Sequence, residues 1–203
     1  MSDLKTFVGT KTIKAIPMNR KAYNKYRGWK NQTNEKTDLE GYLVEYPDSE
    51  SNHKDHRGYI SWSPKEVFEK SYKCIEDKKP LTTLQVGAKI PNVFVIPDND
   101  YGGAHDYIAL ACEGWDSENE CSKFTERVIP VSFCKKEQDG TMVGGLQTEQ
   151  LLLILIDRQI KLNDKFPCDE NIEAIRCLKE ALDWQQERVR ARVSRGVMGQ
   201  LKK

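Results

Sequence analysis

The chain has 203 residues, 38% hydrophobic and 31% charged, the balance of a folded protein with enough apolar side chains for one or two cored domains. Its net charge of +1 argues against a protein that coats DNA or RNA, because such proteins carry a basic excess; any cationic site has to be local. The longest apolar run, residues 151–156, falls far short of the ~18 residues of a membrane-spanning helix. Residues 1–11 carry no secretory leader, so a cytosolic protein is expected, with neither a membrane nor a nucleic-acid polymer as partner.

The first block, residues 1–75, is rich in aromatics. Asn19 is placed to cap a short helix through Tyr23 and Tyr26 that ends at Gly28. Gly41-Tyr42-Leu43-Val44-Glu45-Tyr46 and Gly58-Tyr59-Ile60-Ser61-Trp62 read as two strands. The polar stretch 47–57 between them is a loop, in which His53 and His56 read as solvated side chains rather than metal ligands. Ser63-Pro64-Lys65-Glu66 has the form of a capping box with proline at the first helical position, opening a helix that carries Val67, Phe68, Tyr72 and Ile75. The tyrosines and tryptophans of this ββα-like module are expected to build a small core rather than a ligand box.

Residues 76–80 read as a charged linker. In the middle block, residues 81–145, the runs 93–96, 107–112 and 127–133 are short, apolar or alternating, and separated by Gly, Asn and Asp. They predict a small antiparallel β-domain. The six cysteines (Cys74, Cys112, Cys121, Cys134, Cys168 and Cys177) include no C-x-x-C pair, and the three histidines complete no zinc pattern. Free thiols are expected, with Cys112, Cys134 and Cys177 buried, and no metal or other cofactor.

The third block, residues 146–203, reads as a helical hairpin. A first helix starts at Thr148, as the residue able to cap it, and runs to about Asn163 without Gly or Pro; from Leu151 to Ile156 it is apolar on every side, more than one packing partner can cover. Asp157 beside Arg158 reads as a structural ion pair. The second helix starts around Pro167 to Asp169, with Asp169 and Glu170 in the first turn where the helix dipole favours negative charge. Ile172, Ile175, Leu178, Leu182, Val189 and Val193 form a core-facing stripe. Trp184, Arg188, Arg192 and Arg195 form a second stripe about 100° away, and Gly196 supplies the left-handed residue that ends the helix. Two readings fit the arginines. They are a solvated helix end, where cations are mildly stabilising and Glu187 pairs with Arg190, or an anion site, for which the guanidinium fork is the best-shaped side chain.

The strings "LLxxLIDR", "FPCDEN" and "ERVRARVSRGVMG", within residues 145–199, closely resemble the hairpin domain shared by the phage sponges of the anti-Thoeris and anti-CBASS type. The resemblance implies a protein that binds a cyclic ADP-ribose variant or a cyclic oligonucleotide without cleaving it, as a homo-oligomer whose hairpins pack together, in the cytoplasm of the infected bacterial host. It implies that Asn171 matches the family's asparagine at the start of the second helix and that Arg188 and Arg192 match phosphate-contacting arginines. Arg195, Gly196 and Gly199 match the terminal signature. The chain departs from the pattern at Leu162, where many members carry an aromatic residue; base stacking then falls to Phe166 or is lost. In the resembling sponges a β-domain completes the pocket, which makes His105, Tyr107 and Arg127 further candidates. The first block, "EGYLVEY" through "GYISWSPKEVFEKSY", resembles a module that recurs at the N-terminus of phage proteins and implies no chemistry of its own.

The ligand-binding set expected from the sequence is therefore Asn171, Arg188, Arg192, Phe166, Trp184 and Arg195, with no catalytic residue. A cyclic-nucleotide hydrolase is the competing enzyme reading, and it would need a metal cluster or a base beside a nucleophile. Neither pattern is visible, and there is no phosphate-binding glycine loop. The other competitor is a phage protein-interaction adaptor that docks through the aromatic first block.

Overall fold

The computed structural model describes residues 11–29, 39–81, 86–98 and 101–200. The segment read as free of a leader, residues 1–11, lies outside them except for Lys11. Helices and antiparallel sheets share the chain, a mixed α+β fold. The chain divides into two compact units, Met1–Lys78 with Leu110–Ile129, and Lys79–Ala109 with Pro130–Lys203.

In the first unit the order is β1 (Lys14–Pro17), α1 (Arg20–Tyr26), β2 (Gly41–Tyr46), β3 (Tyr59–Pro64) and α2 (Lys65–Ser71). β2 is the central strand, antiparallel to both neighbours, with Leu43 opposite Ile16 on one side and Trp62 on the other. Asn19 does cap α1, its Oδ1 accepting from the Ala22 N–H at 2.8 Å. Tyr23, Leu43 and Ile60 form the buried core, with Met18 and Trp62 packed against it. The Trp62 indole N–H donates to the Met18 carbonyl at 2.8 Å, so the half-buried ring packs on the core without orphaning its polar edge. Trp29 and Tyr59, by contrast, are exposed.

Four expectations for this unit need correction. β1 adds a strand to the ββα-like pattern, with Lys14 to Pro17 paired along β2. Ser63 caps nothing: it is paired with Tyr42 inside the sheet, and Pro64 ends β3 and stands as N-cap of α2 without a side-chain bond. That helix stops at Ser71, with Tyr72 already extended, so neither Tyr72 nor Ile75 is helical. The polar loop is also not loosely solvated. His56 Nδ1 lies 3.1 Å from Glu45 Oε2 and His56 Nε2 3.0 Å from the Tyr26 hydroxyl, while the His53 ring stacks on Tyr26 at 4.5 Å. The two histidines keep about a sixth of their side-chain surface exposed, at 15% and 17%.

Glu45 Oε1 also accepts from the N–H groups of Arg57 and Gly58, at 3.0 and 3.1 Å. The His56 hydrogen bond, then the Gly58 N–H, hold its carboxyl below the usual carboxylate range against the opposing effect of burial. A carboxylate whose folded pKa is depressed contributes stability that is complete above its unfolded pKa and lost as the pH falls through the folded value. The melting temperature is accordingly expected to drop as the pH falls through and below the ordinary glutamate range, about 4.3. Glu45→Gln should lower it at neutral pH and flatten that acid limb, as read by thermal melts of the two proteins.

β4 (Lys79–Pro80), β5 (Val93–Ile96), β6 (Asp106–Asp116) and β7 (Cys121–Ser132) are hydrogen-bonded in that order; β4, β5, the start of β6 and the end of β7 belong to the second unit, and the rest of β6 and β7, within Leu110–Ile129, to the first. Residues Lys79 and Pro80, read from sequence as linker, are thus an edge strand, opposite Val95 and Phe94. β6 and β7 are longer than their apolar cores predict, and Ile108 on β6 is buried. A short ribbon follows, β8 (Lys135–Lys136) against β9 (Met142–Val143). The chain then enters α3 (Thr148–Lys165) and α4 (Asp169–Ser194).

The hairpin is present with close to its expected bounds, but its details differ. Thr148 is the first helical residue rather than the cap; Gln147 caps α3, and its N–H donates to Gln150 Oε1 at 2.8 Å. Asp157 pairs with Lys161 one turn on, at 2.8 Å, not with its neighbour Arg158. The Glu187–Arg190 pair is present at 3.0 Å. In the core-facing stripe Ile175, Leu178, Leu182 and Val189 are half-buried, whereas Ile172 and Val193 are exposed. Two helices packed on each other shield only one strip of each; in all of α3 and α4 the one buried residue is Ile156. The same shortage of cover corrects the cysteines: all six are free thiols, but Cys112 and Cys177 are exposed and Cys134 only half-buried.

Candidate anion-binding site

An antiparallel hairpin sets the N-terminus of its first helix beside the C-terminus of its second. Here that puts the start of α3 next to Arg188 and Arg192, which lie one turn apart on α4. The strands bring the third wall. Phe133 and Leu146 form a parallel bridge, with the Leu146 N–H donating to the Ser132 carbonyl at 2.8 Å, and the Cys134 N–H to the Leu146 carbonyl at 2.9 Å. Gly145 is required at this crossing: a Cβ there would sit 2.5 Å from the Phe133 carbonyl carbon. The Phe133 N–H donates to the His105 carbonyl at 2.7 Å and so ties in the lead to β6.

The result is a cavity of about 510 Å³ within the second unit, the size of a small-molecule site. Arg188, Arg192, Lys136 and His105 line it, against a single carboxylate, Glu149. Tyr107, Phe133, Met142, Leu146 and Val189 supply the apolar walls, the first two in edge contact at 6.0 Å. Gln147, Thr148 and Glu149 line the cavity at the start of α3, where backbone N–H groups lack helical partners and the helix dipole favours an anion.

Each cation is held differently. Arg188 is exposed and makes no hydrogen bond or ion pair among the described residues. Arg192 is half-buried and donates to the carbonyls of Val197 and Gln200, at 3.0 and 2.5 Å. Lys136, on β8, donates to the Gly199 carbonyl at 2.9 Å. Its own carbonyl accepts from the Tyr101 hydroxyl at 2.8 Å. His105 packs edge-on against Tyr101, with Nδ1 3.6 Å from Asp98 Oδ2. Burial alone would raise the Asp98 carboxyl, but the Tyr101 N–H, His105 and the Gly103 N–H outweigh it and leave it below the usual range. Asp98 therefore stays ionised beside the imidazole, whose buried Nδ1 makes no hydrogen bond among the described residues.

Of the residues singled out from sequence as binding candidates, the cavity gathers Arg188, Arg192, His105 and Tyr107, together with Gly199 of the terminal signature, and leaves out Asn171, Phe166, Trp184, Arg195 and Arg127. Asn171 stands at the other end of α4, seventeen residues from Arg188, about 25 Å at the ordinary helical rise. There its Nδ2 donates to the Phe166 carbonyl at 3.2 Å, while Asn163 Oδ1 accepts from the Cys168 N–H at 3.2 Å, so the two asparagines close the interhelical turn. Within one chain Asn171 cannot complete the arginine pocket. Phe166 is at that same distant turn and 63% exposed; Trp184 is 69% exposed, and neither it nor Arg195 lines the cavity. Arg127 is an exposed residue of β7 in the first unit. Lys136 is the member that sequence reasoning missed, since a two-residue strand leaves no periodicity to read.

No family model and no curated protein matches this chain.

Proposed function

We propose that the protein is a sponge: it binds a cyclic nucleotide signal, a cyclic ADP-ribose variant or a cyclic oligonucleotide, and lowers its free concentration without cleaving it. The observation that carries this reading is the convergence of Arg188, Arg192, Lys136 and His105 on one cavity with aromatic and aliphatic walls. Guanidinium and ammonium groups suit phosphate oxygens, the walls suit a base or ribose, and the N-terminus of α3 adds dipole attraction for the same anion. The hairpin strings quoted from the sequence point to the same class of ligand, made by a defence system in a phage-infected bacterium.

Sequestration needs affinity below the level at which a signalling effector responds, on the order of −10 to −12 kcal/mol, or roughly tens of nanomolar to one nanomolar. It also needs no turnover. Ligand recovered by denaturing the complex is therefore expected to be chemically intact on chromatography; a linear or hydrolysed product growing with time and protein would replace the sponge by an enzyme. The working form is a homo-oligomer, because Leu153 and Ile154, consecutive on α3, leave 53% and 55% of their surface exposed, an apolar patch of the kind that marks an association surface. Any part played by Asn171 or Phe166 in binding would then come from another copy of the chain.

A further inference from the structure

Two of the cavity's cations are already occupied, and by the same short segment. After α4 ends, Gly196 and Gly199 adopt left-handed backbone with φ of 65° and 73° and turn the chain beside the cavity. The turn is closed by its own bonds: the Val197 N–H donates to the Arg192 carbonyl at 3.1 Å, and the Gln200 N–H to the Val197 carbonyl at 3.1 Å. Its outward carbonyls, of Val197, Gly199 and Gln200, are the acceptors that Arg192 and Lys136 engage. Met198, Gly199 and Gln200 line the cavity.

We propose that this C-terminal turn, residues 196–200, is a displaceable latch: it satisfies Arg192 and Lys136 when the site is empty and yields them to an anionic ligand. This rests on the anion-site reading above. The physical basis is an exchange of acceptors. An amide carbonyl is neutral, so its bonds to these cations are charge-assisted from the donor side alone, whereas a phosphate oxygen brings its own charge and forms an ion pair with the same donors. A phosphoryl group first met by Arg188 can therefore take over both cations, while a neutral nucleoside of the same shape cannot. The latch keeps the guanidinium of Arg192 oriented before binding and discriminates in favour of anions.

The test uses the full chain with inorganic pyrophosphate as probe. Gly199→Val loosens the turn without touching a side chain of the site: a β-branched residue is strained at that φ, and a Cβ there meets nothing within 4 Å. Calorimetry is expected to show pyrophosphate binding roughly three- to tenfold tighter to Gly199→Val than to the parent, the equivalent of one or two weak carbonyl contacts no longer displaced. In the parent, which needs no substitution, the Val197 and Gln200 amides are expected to exchange hydrogen severalfold faster when pyrophosphate is bound. If both proteins bind the probe equally, or the variant binds it more weakly, and those amides slow down, the turn is a fixed wall and the latch is wrong while the anion site stands. If neither binds and Arg188→Ala changes nothing, the anion site falls and takes the latch with it.

Discussion

Arg188→Ala is expected to weaken ligand binding by roughly ten- to a hundredfold, the loss of one charge-assisted contact of about 1.5 to 3 kcal/mol. Arg188 is the cleanest probe because it lines the cavity and makes no other bond among the described residues. Removing it should leave the melting temperature of the unliganded protein close to that of the parent. Arg192→Ala is expected to weaken binding too, but it also cuts the bonds to Val197 and Gln200, so its effect mixes the ligand contact with the turn. Arg190 provides the internal control. It points to Glu187 and Gln186 on another face of α4, and Arg190→Ala should cost little. Equal losses from Arg188→Ala and Arg190→Ala, measured by calorimetry, would mean diffuse electrostatics rather than a site.

The second large effect concerns assembly. Leu153, Ile154 and Leu155 are consecutive and all exposed, at 53%, 55% and 37%, so they spread over more than half the circumference of α3 while Ile156 alone is buried in the hairpin. A paired substitution, Leu153→Asp with Ile154→Asp, would put two carboxylates into any interface formed there, a desolvation penalty of several kcal/mol. Light scattering at micromolar concentration is expected to give a multiple of the 23.4 kDa chain mass for the parent and the single-chain mass for the double variant. Because neither side chain is buried in the chain's own packing, helical content by circular dichroism should persist. A parent that scatters as a monomer would remove the oligomer from the account.

Much of this fold was legible where a signal is local. β2 and β5 fall where short apolar runs are bounded by Gly, Asn and Pro, and α4 stops at Gly196 because a positive φ is needed there. The errors come where a distant partner decides. Lys14-Ala15-Ile16-Pro17 is too short and mixed to read as a strand until β2 pairs with it. Lys79 and Pro80 look like linker until β5 does the same. Ser63 has every sequence mark of a cap but is held in the sheet opposite Tyr42. His53 and His56 read as solvated because Glu45 and Tyr26, which hold the cluster together, come from separate elements.

The site divides along the same line. The spacing of Arg188 and Arg192 on one helix face is a property of the helix itself, so sequence finds it. The same geometry excludes Asn171 and Phe166 from their company in one chain, because resemblance lists residues of a site without saying how far apart a 26-residue helix carries them. Lys136 enters only through the crossing of Phe133, Gly145 and Leu146 that folds its ribbon toward the start of α3. Trp184, in register with the arginines, leaves most of its surface in solvent, and nothing in its surroundings within the chain gives it a ligand to stack on.

The most direct measurement is a calorimetric titration of the full chain with cyclic ADP-ribose isomers and with cyclic di- and trinucleotides in turn. The account predicts saturable binding of at least one of them, in the range of roughly one to tens of nanomolar, with the ligand recovered unchanged and the affinity reduced in Arg188→Ala. Absence of binding across the panel, or binding that Arg188→Ala leaves intact, would contradict it.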